Sequence, residues 1–253
     1  MPEQAQHWSQ AAAVYEKEFI DPYLPGVRNP LRQTLAELRD TATQTVADLG
    51  CGIGPLLPFL AERFRRVVAV DFAEGMLQRA REVCVQLPKV EFLQSTFTNL
   101  HPLNGQVDVA VAVNSLVLPD MGELERALSA IHDILKPGGR FLGIVPSMDG
   151  VNYFTMLLHD RARQVGMPDA KARQNAAHHA EHKFYDFAFG DFRYQGLHQH
   201  FWQPFEVRYR LRRAGFRKIQ LSKVHLTWEQ FGCAADLHKE APPWDWFFQA
   251  VRK

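Results

Sequence analysis

The sequence is short of cysteine, of any excess of one charge and of long apolar runs, and each shortage excludes a class of protein. Its three cysteines, Cys51, Cys84 and Cys233, stand at unrelated spacings. They make neither a disulfide framework nor a zinc knuckle, which points to a reducing compartment. Lys and Arg number 29 against 28 Asp and Glu, a formal net charge of +1, so there is no general electrostatic case for binding nucleic acid or an anionic membrane. No uninterrupted apolar stretch approaches the roughly 20 residues of a spanning helix, and Met1–Gln10 lacks the apolar run of a secretory signal. The expectation is a cytoplasmic protein, monomer or homodimer, with neither nucleic acid nor membrane as partner. What is present is ample. Across 253 residues the chain is 46% hydrophobic and 11% aromatic, enough to fill the core of one large domain and to exclude disorder.

Hydrophobic spacing divides the chain. Trp8, Ala12, Tyr15 and Phe19 recur at helical intervals, and a second helix follows Asn29-Pro30 with Leu31, Leu35 and Leu38 on one face. Residues 1–44 thus read as an N-terminal helical segment. From Thr45 short Val-rich runs alternate with amphipathic stretches. The runs are Thr45–Leu49, Val67–Val70, Val90–Leu93, Val107–Val113 and Arg140–Val145. Continuous rather than alternating apolar strands, each followed by a helix, predict an α/β domain over 45–253 with a mostly parallel sheet covered on both faces. Lys136-Pro137-Gly138-Gly139 reads as a helix stop and turn. Between about 147 and 203 the rhythm breaks into a predicted helix over Asp169–Lys183 and an aromatic-dense stretch through Phe184, Tyr185, Phe187, Phe189, Phe192, Tyr194, Phe201 and Trp202. That stretch reads as a cap inserted into the domain. A helix over Pro204–Ala214 and strands over Phe216–Thr227 and Trp244–Val251 complete the pattern.

The chemistry concentrates in Val46-Ala47-Asp48-Leu49-Gly50-Cys51-Gly52-Ile53-Gly54-Pro55. A strand ends in an acid, a glycine-rich turn follows, and a helix begins. Gly50, Gly52 and Gly54 permit positive φ and close approach of a ligand. A second acid, Asp71, closes the next strand, where a carboxylate can accept both hydrogen bonds of a ribose diol. A dinucleotide fingerprint would put glycine three residues after Gly52, and Pro55 stands there instead. Asp48 would repel a pyrophosphate and suits a cationic group such as an amino acid ammonium. A nicotinamide oxidoreductase is therefore disfavoured.

On these residues the sequence resembles the class I S-adenosylmethionine-dependent methyltransferases. The resemblance runs through Asp48–Gly54, Asp71–Leu77, Val107-Asp108, Leu135–Phe141, Leu211–Phe216 and Trp246–Lys253. It implies a Rossmann-like, doubly wound seven-stranded sheet with one antiparallel strand, with S-adenosylmethionine as cofactor and S-adenosylhomocysteine as product. It also implies site residues. Gly50, Cys51 and Gly52 would line the methionine part, Asp71 would hold the ribose, and Phe72 and Met76 would sandwich the adenine. Thr96 and Phe97 would meet the adenine edge, Asn114 and Ser115 would stand near the ammonium and sulfonium, and Tyr15 would reach the methionine carboxylate. Many members carry aspartate where this chain has Thr96, and a neutral hydrogen bond contributes roughly 1 kcal/mol against roughly 1.5–3 for a charged one.

Methyl transfer from a sulfonium needs alignment above all, and a base only where the acceptor must lose a proton. No catalytic residue is assigned. His159, His178, His198 and His200 are candidate bases, and no metal site is expected, since His178 and His182 lie in a solvated, Ala- and Lys/Arg-rich stretch. Tyr153, Phe154, Phe201 and Trp202 are expected to line an acceptor pocket under the cap. The function expected is methylation of a small, aromatic or hydrophobic molecule, with a non-catalytic S-adenosylmethionine-binding protein as the alternative.

Overall fold

The computed structural model describes residues 8–9, 21–179, 189–194, 197–231, 237 and 239–253. The first predicted helix, with Tyr15, lies almost wholly outside them. Helix α1, Pro30–Ala36, starts as the sequence indicates: the Asn29 side chain accepts from the Leu31 amide at 2.9 Å, and Pro30 needs no partner for a missing N–H.

A seven-stranded sheet forms the centre. Strands β1 (Thr45–Leu49), β2 (Arg66–Asp71), β3 (Val90–Gln94), β4 (Val107–Val113) and β5 (Leu135–Val145) are parallel. Two hairpin strands, β6 (Asp191–Tyr194) and β7 (Leu197–His200), stand apart from the sheet. Strands β8 (Phe216–His225) and β9 (Trp244–Arg252) complete it in the order β3-β2-β1-β4-β5-β9-β8, with β9 antiparallel to both neighbours. The chain leaves β1 towards β2 on one side and returns to pair β4 on the other. This reversal opens a crevice beyond the C-terminal ends of β1 and β4, where ligands of such sheets bind.

Each face of the sheet has its own apolar layer, because side chains alternate along every strand. Ala47 and Leu49 pack towards α4 (Met121–Ile134) and α7 (Pro204–Arg213), through Leu124, Leu128, Ile131, Val207 and Leu211. Val46 packs the other way, towards α1, α2 (Leu57–Arg63) and α3 (Glu74–Val83), through Leu31, Leu35, Leu57, Leu60 and Leu77. Asp108 is structural: its carboxylate accepts from the Thr45 amide and from Lys136 Nζ, each at 2.8 Å. The Lys136–Gly139 segment is not a simple turn. Leu135 already pairs with Val107 and Arg140 with Val109, so the intervening residues bulge out of a strand that begins five residues earlier than expected.

The segment 147–203 holds more regular structure than its sequence suggests. Helix α5, Met148–Gln164, was not foreseen; Ser147 caps it, its Oγ accepting from the Gly150 amide at 2.9 Å. Helix α6, Asp169–His179, covers the predicted Asp169–Lys183 as far as the described residues extend. Phe184, Tyr185 and Phe187 lie outside them. Both ends of the segment meet at one point on the sheet edge: the Trp202 amide donates to the Pro146 carbonyl at 2.8 Å and the Met148 amide to the Trp202 carbonyl at 3.0 Å. Among the described residues no helix is long and apolar enough to cross a membrane.

Candidate active site

The turn after β1 is shaped by what its glycines exclude. Gly50 has φ of 69°, and a Cβ there would stand 2.4 Å from Ser115 Cβ. Ser115 belongs to the loop after β4, and its Oγ donates to the Leu49 carbonyl at 2.8 Å, clamping the two strand ends together. Gly52, φ 55°, is different: a Cβ there would meet nothing within 4 Å, so this edge of the turn is open to the crevice. The Gly50 and Cys51 amides are both taken by the Val70 carbonyl, at 2.7 and 3.0 Å. The turn is thereby locked to the end of β2.

Asp71 completes the lock. Its Oδ2 accepts from the Gly52 amide at 3.0 Å and its Oδ1 from the Ala73 amide at 2.9 Å. Burial still pushes its carboxyl above the ordinary range, against the pull of the Ala73, Gly52 and Phe72 amides. Asp48, one residue inside β1, is 3% exposed. Burial, and then the charge of Asp71, push it up to about 7. Burial and the same two acids hold the Cys51 thiol well above its usual value. It is a protonated small residue, not a nucleophile.

An open cleft, about 950 Å³ when the solvent at its mouth is included, lies above this turn. Gly50, Gly52, Asp71, Phe72 and Met76 form one wall, and Trp8 joins them, packed with Met76, Ala73 and Ile53. Thr96 and Phe97 form the next part, and the Thr96 hydroxyl lies 3.1 Å from that of Thr98. Asn114 and Ser115 line the floor at the end of β4. Nine of the expected cofactor residues, from Gly50 to Ser115 and including Asp71, therefore share the lining of one space. Gly54 and Cys51 sit in the turn behind it. No Lys or Arg is among the described residues that line the cleft. Acids without a facing cation make a site for a positively charged ligand.

The sequence reading missed several cleft residues. Val113, Val117, Leu118, Pro119 and Leu197 give it an apolar end, and Glu123 and Gln199 add polar groups beside His198, one of the candidate bases expected from the sequence. The hairpin residues reach the site only through the β6–β7 register, which no local periodicity reveals. Asp245 was also missed. Its carboxylate accepts from Asn114 Nδ2 at 3.3 Å, it is 6% exposed, and burial pushes it up to about 7. Asn114 itself holds φ at 48°, a left-handed conformation that asparagine tolerates better than most residues. An acid interrupting the apolar run Trp244-Asp245-Trp246 was the available signal.

The four aromatic residues expected at an acceptor pocket are not brought to the cleft. Trp202 is 2% exposed in the sheet core, its indole Nε1 donating to the Leu116 carbonyl at 2.7 Å. Phe201 packs on Phe192 with ring centroids 4.6 Å apart, beside Met148. Tyr153 lies 5.3 Å from the Trp244 ring, and Phe154 lies 5.1 Å from Phe231. Burial of large apolar surface outcompetes exposure to a ligand at Phe201 and Trp202, while Tyr153 and Phe154 are half-buried in a separate cluster with Leu157 and Trp228. No group of three or more His, Cys, Asp or Glu suited to a metal ion occurs among the described residues.

Residues 46–139 match the family described as a methyltransferase domain. The demethylmenaquinone methyltransferase of Clavibacter sepedonicus is 33% identical over 109 residues, 43% of this chain and 44% of that protein. The trans-aconitate 2-methyltransferase of Rhodopseudomonas palustris is 34% identical over 107 residues, 41% of each. The chain thus matches less than half the length of these relatives. In fold it is similar to the Burkholderia thailandensis 1,6-didemethyltoxoflavin-N1-methyltransferase with bound 1,6-didemethyltoxoflavin and S-adenosylhomocysteine. That similarity has a TM-score of 0.61 at 17% identity, over 100% of this chain and 86% of the other. Residues 46–139 thus match a methyltransferase domain, and the seven-stranded sheet order is the fold shared with solved S-adenosylmethionine-dependent methyltransferases.

Proposed function

We propose that this protein is an S-adenosylmethionine-dependent methyltransferase acting on a small, apolar or aromatic acceptor. One observation carries the reading: the Gly52 edge opens onto a cleft whose charged wall is acidic, centred on Asp71. The residues fit the cofactor. Asp71 stands where ribose hydroxyls can donate to it, Phe72 and Met76 offer apolar surface to an adenine, and Asn114 lines the place for a cationic amino acid moiety, with buried Asp48 in the strand below the turn. Bound there, the cofactor supplies an activated methyl group. The chain's own part is to hold donor and acceptor in line, and positioning of that kind is worth roughly 7–11 kcal/mol.

The acceptor class rests on the apolar end of the cleft, Val113, Val117, Leu118, Pro119 and Leu197. The β6–β7 hairpin acts as a cap over it, contributing Leu197, His198 and Gln199. Free, buried Cys51 and Cys84 favour a reducing, cytoplasmic setting. A second reading, a binding protein without catalysis, draws on Thr96, whose hydroxyl is engaged with Thr98. Incubation with S-adenosylmethionine and a set of hydrophobic phenols separates the two. Acceptor-dependent release of S-adenosylhomocysteine supports the enzyme, and tight binding with no release under any acceptor supports the alternative.

A further inference from the structure

We propose that His198, oriented by Asp191, is the general base of this site, and that the acceptor is a phenol-type molecule whose hydroxyl proton His198 removes. The inference rests on the methyltransferase reading above.

Histidines are numerous in this chain, and the structure separates them. His159 is held between Asp160 and Asp169, each 3.1 Å from a ring nitrogen, and does not line the cleft. His200 is 0% exposed, with Nε2 3.1 Å from Glu206, itself bonded to Arg210 at 2.6 Å. Among the described residues His198 is the histidine on the cleft wall, and its side chain is 52% exposed. An imidazole there can receive a proton from a ligand without a rearrangement of the core.

The hairpin supplies the orienting group. Asp191 pairs with His200 across the ladder and Arg193 with His198, so Asp191 and His198 are diagonal neighbours on one face. Asp191 Oδ1 lies 3.4 Å from His198 Nε2. A carboxylate beside Nε2 favours the tautomer with hydrogen on that nitrogen and leaves Nδ1 as the free acceptor. The third member of the arrangement is the apolar end of the cleft, where Leu118, Pro119 and Leu197 suit a ring rather than a charged chain. Glu123 also lines the cleft, but among the described residues no ion pair holds its carboxylate, whereas Asp191 stands within ion-pair distance of His198.

The step balances. The acceptor O–H proton passes to His198 Nδ1, and an oxygen lone pair forms the new bond to the methyl carbon. The carbon–sulfur bond breaks with its electron pair on sulfur, so the sulfonium becomes a neutral thioether. The imidazolium, neutralised by Asp191, then returns its proton to water. Proton removal of this type contributes typically about 10²–10⁴-fold.

The test uses 4-nitrophenol, whose ionised form absorbs in the visible, with full-length protein saturated with S-adenosylhomocysteine at a mildly acidic pH where free 4-nitrophenol is mainly protonated. Calorimetry first confirms S-adenosylhomocysteine binding in wild type, His198→Gln and the off-cleft control His159→Gln. We expect the wild type to raise the phenolate absorbance of bound 4-nitrophenol at least threefold. His159→Gln should keep that rise, and His198→Gln should lose it with unchanged S-adenosylhomocysteine affinity. A rise that persists in His198→Gln, or absence of 4-nitrophenol binding to the loaded wild type, overturns this assignment alone. Absence of S-adenosylhomocysteine binding in all three proteins overturns the methyltransferase reading beneath it.

Discussion

Asn114 at the end of β4 donates its side-chain amide to Asp245 at the start of β9, at 3.3 Å and across 131 residues of sequence. The contact exists because β9 runs antiparallel to β5, which brings its first residues to the C-terminal edge of the parallel strands. A cleft residue in left-handed conformation is thereby backed by a buried acid.

That acid has a pH signature. Its carboxyl is pushed from 3.8 to about 7, chiefly by burial. The folded state keeps a proton that the unfolded chain releases, so the associated stability is full below about pH 4 and lost as pH rises towards 7. Asp245→Asn removes this loss while leaving an oxygen to accept from Asn114. The stability of the variant relative to wild type should therefore improve between pH 4 and pH 8, by on the order of 2–4 kcal/mol. In melting temperature that is roughly 5–10 °C for a chain of this size. Thermal unfolding at both pH values checks it, and a pH-independent difference counts against a buried, proton-bearing Asp245.

The two turn glycines should fail differently. A Cβ at Gly50 runs into Ser115 at 2.4 Å, whereas one at Gly52 enters open space. Gly52→Ala carries only the cost of a left-handed alanine, about 1–2 kcal/mol, yet it places a methyl group in the cleft. It should fold and bind S-adenosylmethionine at least tenfold more weakly. Gly50→Ala should lose distinctly more stability, read by chemical denaturation. Equal stabilities would mean that Ser115 does not close on the turn.

Trp202 should behave as a core residue. Trp202→Phe leaves the Leu116 carbonyl without its indole donor, at a cost of about 1–3 kcal/mol plus lost packing. Cofactor affinity, measured by calorimetry below the unfolding transition, should stay within twofold of wild type. A large loss of affinity with unchanged stability would return Trp202 to the cleft.

How far the sequence is legible follows from where the signals lie. Strand β1, its glycine turn and Asp71 are contiguous and patterned, so their order and proximity are readable without coordinates. The same holds for the helix after Asn29-Pro30, where the cap residue is local. Helix α5 was not readable, because Gly150, Asn152 and Thr155 weaken its helical signal and the Ser147 cap shows only through its hydrogen bond to Gly150. Leu197 and His198 reach the cleft, and Asp245 reaches Asn114 behind it, by long-range pairing, which periodicity does not encode. Tyr153, Phe154, Phe201 and Trp202 stand away from the cleft because aromatic content marks packing as readily as a pocket.

Calorimetric titration of the wild-type chain and Asp71→Ala with S-adenosylmethionine bears most directly on the central claim. The account predicts one saturable site in the wild type and at least a tenfold weaker one, about 1.4 kcal/mol, in Asp71→Ala. No heat of binding in a folded wild type, or equal affinity in the two proteins, would contradict it.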